Sequence, residues 1–537
     1  MRLSLQTQKP MKGVRAAVLA GVLAMSTSCQ DFLDVNVNPN GPEVVTANLY
    51  LPPMLHWMVT DQPFDGRYIG DFVQNWYRPG TTFNTWDRMG YDRGLDNGGQ
   101  TWRDVYWTFG QNLIDMNTRA EAEQRWDLLG VGTMLKGWGW MTLASLHGDI
   151  IVQQAFDQTR FSFDYDTEEY ALTEAKKLLD SAIVLLQRTD GAVDAAYLGR
   201  TDKIYNGNRT KWLRYTYGLR ALLQNRYSNK AALYDPAAVI ADVDASFTGN
   251  VDDALLAYPA TQASDDRNFW GPGRQNMATF RQTRFVVELM NGTQFGAVVD
   301  PRMTRILAPD SAGTTYTGLD VNTLNYGALT VPQRPRNLWG YVGQPVANAP
   351  SRYLFSDKSK FPAMTYSQLQ FVKAEAAFRQ GDRATALAAY TNGISTHIDF
   401  VNARNQDDGQ LPTQISAAEK AAFLANVNIV PAAANLTMTH IMSQKYIAQF
   451  GWGFFEQWMD MRRFHYTDTY PGEARQVFPG FSPPTNLDAD NAGKPAYRLR
   501  PRYNSEYVWN LKGLANIAPI PGTAADYQTS QLWIIQP

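Results

Sequence analysis

The sequence predicts a mainly α-helical fold, in which helical hairpins repeat along the chain and long loop-rich segments interrupt them. Apolar residues recur at steps of three and four over residues 131–146, 171–186 and 209–226, which is the period of one helix face. Between residues 251 and 352 this period fades, and Gly, Pro, Asn, Thr and aromatic residues take over. An irregular insertion of this length usually carries a function.

The clearest hairpin lies at Ser367–Ile394. Its first helix has apolar residues on two faces, so it must be covered from two sides. Gly381 suits the left-handed conformation that ends a helix, and Asp382 can cap the next helix. Small residues such as Gly393 let the second helix approach the first closely. This arrangement is the tetratricopeptide pattern, a helical hairpin that buries its faces only by stacking on its neighbours.

The N-terminus has the order of an export signal. Lys12 and Arg15 precede an apolar run from Ala16 to Met25, which is too short to span a bilayer. Three small residues, at positions 26–28, then lead directly to Cys29. A cysteine at this place is the residue that a lipoprotein peptidase leaves as the new N-terminus, so we expect acyl chains on Cys29 to hold the protein on a membrane.

The same patterns divide the chain. We expect a leader, then a single mature domain in which two helical-repeat regions are separated by a loop-rich insertion and followed by a loop-rich tail. Inside the insertion one helix is predicted. The boundaries are 1–28 for the leader, 29–537 for the domain, about 100–250 and 360–465 for the repeats, about 251–352 for the insertion, 280–291 for its helix, and about 470–537 for the tail.

Composition excludes several classes of protein. Lys and Arg number 49 against 51 Asp and Glu, which gives a formal charge of −2 and argues against nucleic acid as a partner. A single cysteine allows no internal disulfide, and five scattered His have no recognisable zinc spacing. We therefore expect no metal and no cofactor.

Aromatic residues on the helical stripes are predicted to belong to the core. These are Trp138, Trp140, Trp212 and Trp458, with Trp102, Tyr106 and Phe109 at helical spacing as well. Asp460 and Arg463 are neighbours on one helix face, so we expect a structural ion pair there rather than a catalytic group.

Four segments of the sequence carry motifs that follow one another along the chain. Cys29 is followed by QDFLDVNVNPNGP at Gln30–Pro42, and the hairpin sequence FVKAEAAFRQGDRATALAAY lies at Phe371–Tyr390. A helix, a glycine-bearing turn and a W-x-D-x-R-R run follow one another at Met442–Phe464. An arginine- and tyrosine-rich stretch occupies Arg498–Asn510 near the end of the chain. In their order and spacing these four segments resemble the SusD/RagB family of nutrient-binding outer-membrane lipoproteins.

The resemblance implies a tetratricopeptide-like helical-repeat scaffold with long loop-rich insertions that form the ligand face. It also implies a lipid-anchored protein of the outer membrane, exposed at the cell surface, with a SusC-like TonB-dependent transporter as its partner. Such proteins bind a nutrient oligomer, an oligosaccharide or in some cases a peptide, and deliver it to the transporter. No reaction is catalysed.

The ligand residues are predicted from the chemistry of a sugar ring. Its C–H faces stack on aromatic rings, and its hydroxyl groups need Asn, Asp, Arg or Gln nearby. Three loop clusters have this composition, one within Asp71–Arg88 and two in the insertion. The candidate ligand-binding residues are Asn75, Trp76, Tyr77, Arg78, Trp86, Trp270, Trp339 and Tyr341.

Two other functions remain open from the residues alone. A tetratricopeptide-like envelope scaffold would bind protein or peptide through helix side chains and have no affinity for small oligomers. A surface glycosidase would need two carboxylates held about 5–10 Å apart across a cleft, and no spacing in the sequence selects such a pair.

Overall fold

Helical hairpins make up most of the protein, as the apolar periodicity predicts. The computed structural model describes residues 45–261, 266–409 and 411–537, so the predicted leader and Cys29 lie outside the described residues. The α-helices are α1 (Leu51–Phe72), α2 (Gln100–Arg103), α3 (Gly110–Ala122), α4 (Trp126–His147), α5 (Glu168–Gln187), α6 (Ala195–Gly199), α7 (Arg209–Arg226), α8 (Pro236–Ala245), α9 (Arg284–Met290), α10 (Met303–Ile306), α11 (Tyr366–Gln380), α12 (Arg383–Arg404), α13 (Ala417–Leu424), α14 (Met438–Gln449), α15 (Phe454–Arg463) and α16 (Leu511–Ala515).

The hairpins stack side by side. Helix α4 packs on α5, α5 on α7, α7 on α8, α8 on α11, and α11 on both α12 and α14. Close approach within one hairpin depends on Gly393, because a Cβ there would lie 2.9 Å from the ring of Phe371. The mainly α, tetratricopeptide-like scaffold predicted from the sequence is confirmed.

The turn between α11 and α12 is built as its sequence predicts. Gly381 has φ +90°, a conformation that costs glycine little and other residues more. The side chain of Asp382 accepts a hydrogen bond of 3.0 Å from the backbone N–H of Thr385 and so caps α12. Local chemistry alone therefore fixes the end of one helix and the start of the next.

Short strands tie the loop-rich regions to the scaffold. Strand β1 (Trp76–Tyr77) pairs antiparallel with β3 (Arg281–Gln282), and β2 (Ala254–Leu256) with β4 (Phe361–Met364). The helix predicted at 280–291 is therefore shorter than expected, since its first residues form β3. Thr283 caps the helix that follows, accepting from the N–H of Val286, while its hydroxyl donates to the carbonyl of Gln74.

The helix-borne tryptophans lie in the core, as predicted. Trp138, Trp140, Trp212 and Trp458 are all buried, and so are Trp102 and Phe109. Tyr106 is half-buried. The main core extends from Ala47 near the start of the described residues to Ile535 near the end, so the loop-rich segments share it with the hairpins.

A buried charge network joins four of the helices. Arg463 of α15 donates two hydrogen bonds, of 2.7 and 3.0 Å, to the carboxylate of Glu375 on α11, and a third of 2.6 Å to Asp460. Lys445 of α14 donates to Asp460 at 3.0 Å, and Asn225 of α7 donates to Glu375 at 2.9 Å. The predicted pair of Asp460 and Arg463 is thus present and structural.

The network keeps Glu375 ionised. Burial alone would raise the pKa of this carboxyl, but the positive charges of Arg463 and Arg379 outweigh it and hold the pKa well below its ordinary value of 4.5. A carboxyl whose pKa is lower in the folded than in the unfolded chain stabilises the folded state. This contribution is complete above the pKa of the unfolded chain and is lost as the pH falls through the pKa of the folded chain. Acid should therefore weaken this junction below about pH 4.5.

We predict that Glu375→Gln lowers the free energy of unfolding by about 3–5 kcal/mol, because removing one partner leaves buried cations short of an anion. Urea unfolding followed by tryptophan fluorescence at neutral pH measures the change. The control is Glu174→Gln, which removes an exposed pair with Lys177 and should cost about 1 kcal/mol or less. Equal stability of the two variants would contradict the prediction.

Candidate functional site

Three tryptophans from the three predicted ligand clusters come together in the structure. The rings of Trp76 and Trp270 meet edge to face, with centroids 5.3 Å apart. The indole N–H of Trp339 donates to the carbonyl of Trp270 at 2.7 Å, and the indole N–H of Trp270 donates to the carbonyl of Gly451 at 2.9 Å. The clusters are far apart in sequence, but their aromatic residues form one knot above α14 and α15.

The expectation that these rings offer open faces to a ligand is wrong. Trp76, Trp86, Trp270 and Trp339 are each at most 2% exposed. Trp86 is covered by the ring of Phe72, stacked at 5.5 Å, and the other three are covered within the knot. Large aromatic rings in loops gain more by closing onto the helices beneath them than by facing water. That these four tryptophans bind a ligand stays a prediction, and their buried positions do not support it.

The other predicted residues also have structural partners. Asn75 is buried and donates to the hydroxyl of Tyr446 at 3.0 Å, and Tyr77 is buried with its hydroxyl on the carbonyl of Thr323. Tyr341 is half-buried and donates to the carbonyl of Pro350 at 2.7 Å. Arg78 remains partly exposed.

Arg78 lies against a buried pair of acids. Its guanidinium is 3.5 Å from a carboxylate oxygen of Asp71 and 4.0 Å from one of Asp87. Burial, followed by the charge of Asp87, raises the pKa of Asp71 well above its usual range, and burial raises the pKa of Asp87 to about 6. Burial thus favours the neutral form of both acids, while the nearby guanidinium of Arg78 favours their charged form.

An open aromatic groove lies elsewhere, between two π-helical turns. The first turn is Asp104–Phe109, between α2 and α3, and the second is Tyr503–Tyr507 in the C-terminal tail. Turns of this kind are rare and often mark functional sites, because the extra residue pushes side chains out of the helical register. Here both turns line the same groove, of about 300 Å³.

The groove has an apolar floor and a polar rim. Trp107 of the first turn is 67% exposed, and the guanidinium of Arg103 stacks on its ring at 4.3 Å. Such a ring is held in place yet keeps a face open. The groove is lined by Trp102, Arg103, Tyr106, Trp107, Ile151, Ala155, Phe156, Phe163, Arg502, Ser505 and Glu506.

Hydrogen bonds fix the polar groups beneath the groove. The hydroxyl of Tyr106 donates to the carbonyl of Ile151 at 2.7 Å, and Glu506 accepts from the hydroxyl of Tyr165 at 2.6 Å. Burial, and next the charge of Glu506, raises the pKa of both tyrosines well above 10. Both hydroxyls therefore remain donors over the physiological range.

A second, smaller groove adjoins the first. It has a volume of about 190 Å³, runs between α3 and α4, and shares Phe156 with the larger groove. Phe156 adopts φ +68°, which is uncommon for an aromatic residue, and its ring stacks on Trp140 at 6.2 Å. The two grooves meet at Phe156, and we call them together the aromatic trough.

Further exposed rings stand beside the aromatic trough. Phe161 is 96% exposed and Trp509 is 79% exposed. Their loops are joined because the side chain of Asn510 accepts from the N–H of Phe163 at 2.9 Å and donates to its carbonyl at 3.0 Å. Exposed aromatic rings grouped on one surface usually mark an interaction site.

Comparisons with known proteins agree with this architecture. A family profile described as "Starch-binding associating with outer membrane" (SusD-like) matches residues 39–477, most of the sequence. The chain belongs to the SusD-like family. A search of curated proteins returned no match.

Solved structures of SusD homologues share the fold of this SusD-like protein. A homologue from Bacteroides fragilis has a TM-score of 0.70 at 18% identity, over 92% of this chain and 100% of its own. A SusD/RagB family protein from Bacteroides thetaiotaomicron has a TM-score of 0.66 at 19% identity, over 92% and 99%. A chitin-binding SusD homologue from Flavobacterium johnsoniae has a TM-score of 0.62 at 19% identity, over 91% and 98%.

The described residues of the SusD-like protein contain neither a membrane-spanning helix nor a metal-binding cluster. In residues 45–261, 266–409 and 411–537, no helix has the length and hydrophobicity needed to cross a membrane. Within those same ranges, no group of three or more His, Cys, Asp or Glu side chains is arranged to hold a metal ion.

Sequence reasoning missed the groove because it treated Trp102, Tyr106 and Phe109 as one buried stripe. Trp107 falls off that stripe, and an aromatic residue on the polar side of a helical pattern is a signal that could have indicated an open ring. The π-helical turn has no such signal, since nothing in the sequence distinguishes it from an ordinary helix. Trp509 lies in Arg498–Asn510, a segment that contributes to the family resemblance and to none of the predicted ligand clusters.

We predict that Trp270→Ala and Trp107→Ala differ sharply in stability. Loss of the buried Trp270 ring should lower the free energy of unfolding by about 3–5 kcal/mol, since it leaves a cavity in the knot. Loss of the exposed Trp107 ring should cost about 0.5 kcal/mol or less. Urea unfolding followed by far-UV circular dichroism measures both, and a stable Trp270→Ala variant would show that the knot is not structural.

Proposed function

We propose that this SusD-like protein binds a nutrient oligosaccharide at the cell surface, with sugar rings in the aromatic trough. The observation that carries the proposal is the open face of Trp107 above an apolar groove with a polar rim. Ligand pockets combine apolar and aromatic walls with a few placed polar groups, as this groove does. The groove's arginines, Arg103 and Arg502, can donate hydrogen bonds to hydroxyl and ether oxygens.

The family and its solved members support a carbohydrate ligand. The family description names starch, and one of the similar structures is that of a chitin-binding SusD homologue. Both are neutral polymers of pyranose rings, whose C–H faces suit aromatic side chains. We therefore propose oligosaccharide rather than peptide as the ligand class.

The composition of the groove favours binding over hydrolysis. Of the described residues that line the larger groove, Glu506 alone is a carboxylate, and it is already engaged by Tyr165 and Asn510. Glu121 lines the smaller groove. A glycosidase needs a pair of carboxyl groups across the scissile bond. We therefore propose that the protein captures its ligand and delivers it to a SusC-like TonB-dependent transporter in the outer membrane.

We predict that Trp107→Ala lowers the affinity for the bound oligosaccharide by about 1–3 kcal/mol, as loss of an aromatic contact in a binding site does. Calorimetry of the purified protein with maltotetraose and chitotetraose measures the effect. The matched control is Trp126→Ala, at the far end of α4 and about 20 Å along that helix from Trp140. Trp126 also carries a stacked arginine, Arg188, at 3.7 Å.

The control variant should keep the wild-type affinity. If both variants bind equally well, the aromatic trough is not the site. If no oligosaccharide binds and a helical protein partner is recovered from membranes without a TonB-dependent barrel, the scaffold function replaces this proposal. Release of new reducing ends from either oligosaccharide would instead make the protein a glycosidase.

We also propose that Cys29 carries the lipid anchor. Because it is the single cysteine in the chain, Cys29→Ser should abolish all labelling of the protein by an alkyne-tagged palmitate in growing cells, while the wild type is labelled. Label that persists in Cys29→Ser would place the lipid elsewhere and contradict this part of the proposal.

A further inference from the structure

One arginine near the aromatic knot is surrounded by aromatic rings. Arg67 lies on α1, and its guanidinium carbon is 4.4 Å from the ring centroid of Phe64, 5.2 Å from that of Tyr68 and 5.2 Å from that of Phe269. Rings on several sides restrict the rotamers of the side chain, so its position is set before any ligand arrives. Preorganised arginines of this kind are well suited to recognise anions.

Two further arginines share those rings. Arg78 lies 5.9 Å from the centroid of Tyr68, and Arg274 lies 5.3 Å from that of Phe269. We call Arg67, Arg78 and Arg274, with Phe64, Tyr68 and Phe269, the arginine face. Burial lowers the pKa of Arg67, and the charges of Arg78 and Arg274 act in the same direction, against those of Tyr68 and Asp65.

The carboxylates near Arg67 are engaged by other groups. Asp65 accepts from the backbone N–H groups of Gln100 and Thr101, at 3.2 and 2.9 Å. Asp92 accepts from the indole N–H of Trp86 at 2.8 Å. Asp71 and Asp87 lie against Arg78, as described above.

Within the part of the chain that the structure describes, Arg67 has no acidic side chain as an ion-pair partner. It donates from Nε to the carbonyl of Phe64 at 3.1 Å, and among the described residues it forms no ion pair. The terminal nitrogens of its guanidinium are therefore available for an anion from outside.

The arginine face and the aromatic trough border the same loop, residues 92–99. On one side of this loop the hydroxyl of Tyr68 donates to Asn97 at 2.9 Å. On the other side Asp96 accepts from the side chains of Arg502 and Asn504, and Arg502 lines the groove. The two surfaces are therefore connected through this one loop.

We propose that the arginine face binds an anionic group, a carboxylate or a sulfate, of an acidic oligosaccharide whose other sugar rings occupy the aromatic trough. Guanidinium groups bind carboxylates and sulfates through paired, charge-assisted hydrogen bonds, and a flanking Arg274 adds to the attraction. The inference rests on the proposed function, and it narrows the ligand from oligosaccharides in general to acidic ones.

Calorimetry of the purified full-length protein tests the ligand class with four tetrasaccharides and one peptide. These are tetragalacturonate as the carboxylate, a heparin-derived tetrasaccharide as the sulfate, maltotetraose and chitotetraose as neutral sugars, and a Glu-rich peptide. Fully methyl-esterified tetragalacturonate keeps the rings and removes the charge. We expect an acidic sugar to bind most tightly, with affinity that falls as NaCl rises from 50 to about 500 mM.

Two variants locate the anion. Arg67→Met keeps the length and apolar packing of the side chain but removes its charge. We expect this variant to lower the affinity for the acidic sugar about 10- to 100-fold and to leave the affinity for neutral sugars unchanged. Arg274→Met provides a second, independent variant should Arg67→Met fold poorly. Arg188→Met, which removes an arginine stacked on Trp126 at the far end of α4, is the control and should bind as the wild type does.

The results separate the inference from the proposed function. The inference would be overturned if a neutral sugar bound most tightly and its affinity fell in Trp107→Ala but not in Arg67→Met or Arg274→Met. The proposed function would then still stand. Preference for the Glu-rich peptide over every sugar would overturn both. Binding of none of the sugars would also overturn both, whereas loss of acidic-sugar binding in either arginine variant supports the inference.

Discussion

The scaffold depends on one buried charge junction. Glu375 accepts two hydrogen bonds from Arg463 and one from Asn225, and through Asp460 the junction also includes Lys445. It thereby links α7, α11, α14 and α15, which apolar packing alone would leave free to slide. Buried ions are costly unless every charge is matched, so the junction admits one arrangement of these helices. The loops above α14 and α15 take their position from it.

Aromatic residues serve two distinct purposes in this protein. In the knot of Trp76, Trp270 and Trp339 the rings are closed against each other and hold the irregular insertion onto the helices. In the aromatic trough the ring of Trp107, on the first π-helical turn, remains open. An aromatic residue is therefore either buried in the structure or open to a ligand, depending on the backbone that carries it. Composition alone cannot distinguish these two roles.

Much of the fold could be predicted from the sequence, because helix periods and caps are local properties. The bounds of α7 and the turn at Gly381–Asp382 follow from neighbouring residues alone. The site could not be predicted in the same way. Whether Trp270 faces solvent depends on Trp76 and Trp339, which are remote in sequence. Trp107 lies off the apolar stripe, but the π-helical turn that carries it has no sequence signature, so the groove beside it could not be located.

The first π-helical turn also bears on how such a binding surface can change. A π-helical turn absorbs an additional residue within one turn, so Asp104–Phe109 can gain or lose a residue while α3 keeps its phase against α4. Insertion and deletion can thus alter the shape of the groove as effectively as substitution can, without disturbing the stacked hairpins. The length of this segment can therefore change the shape of the proposed binding surface independently of which residues line it.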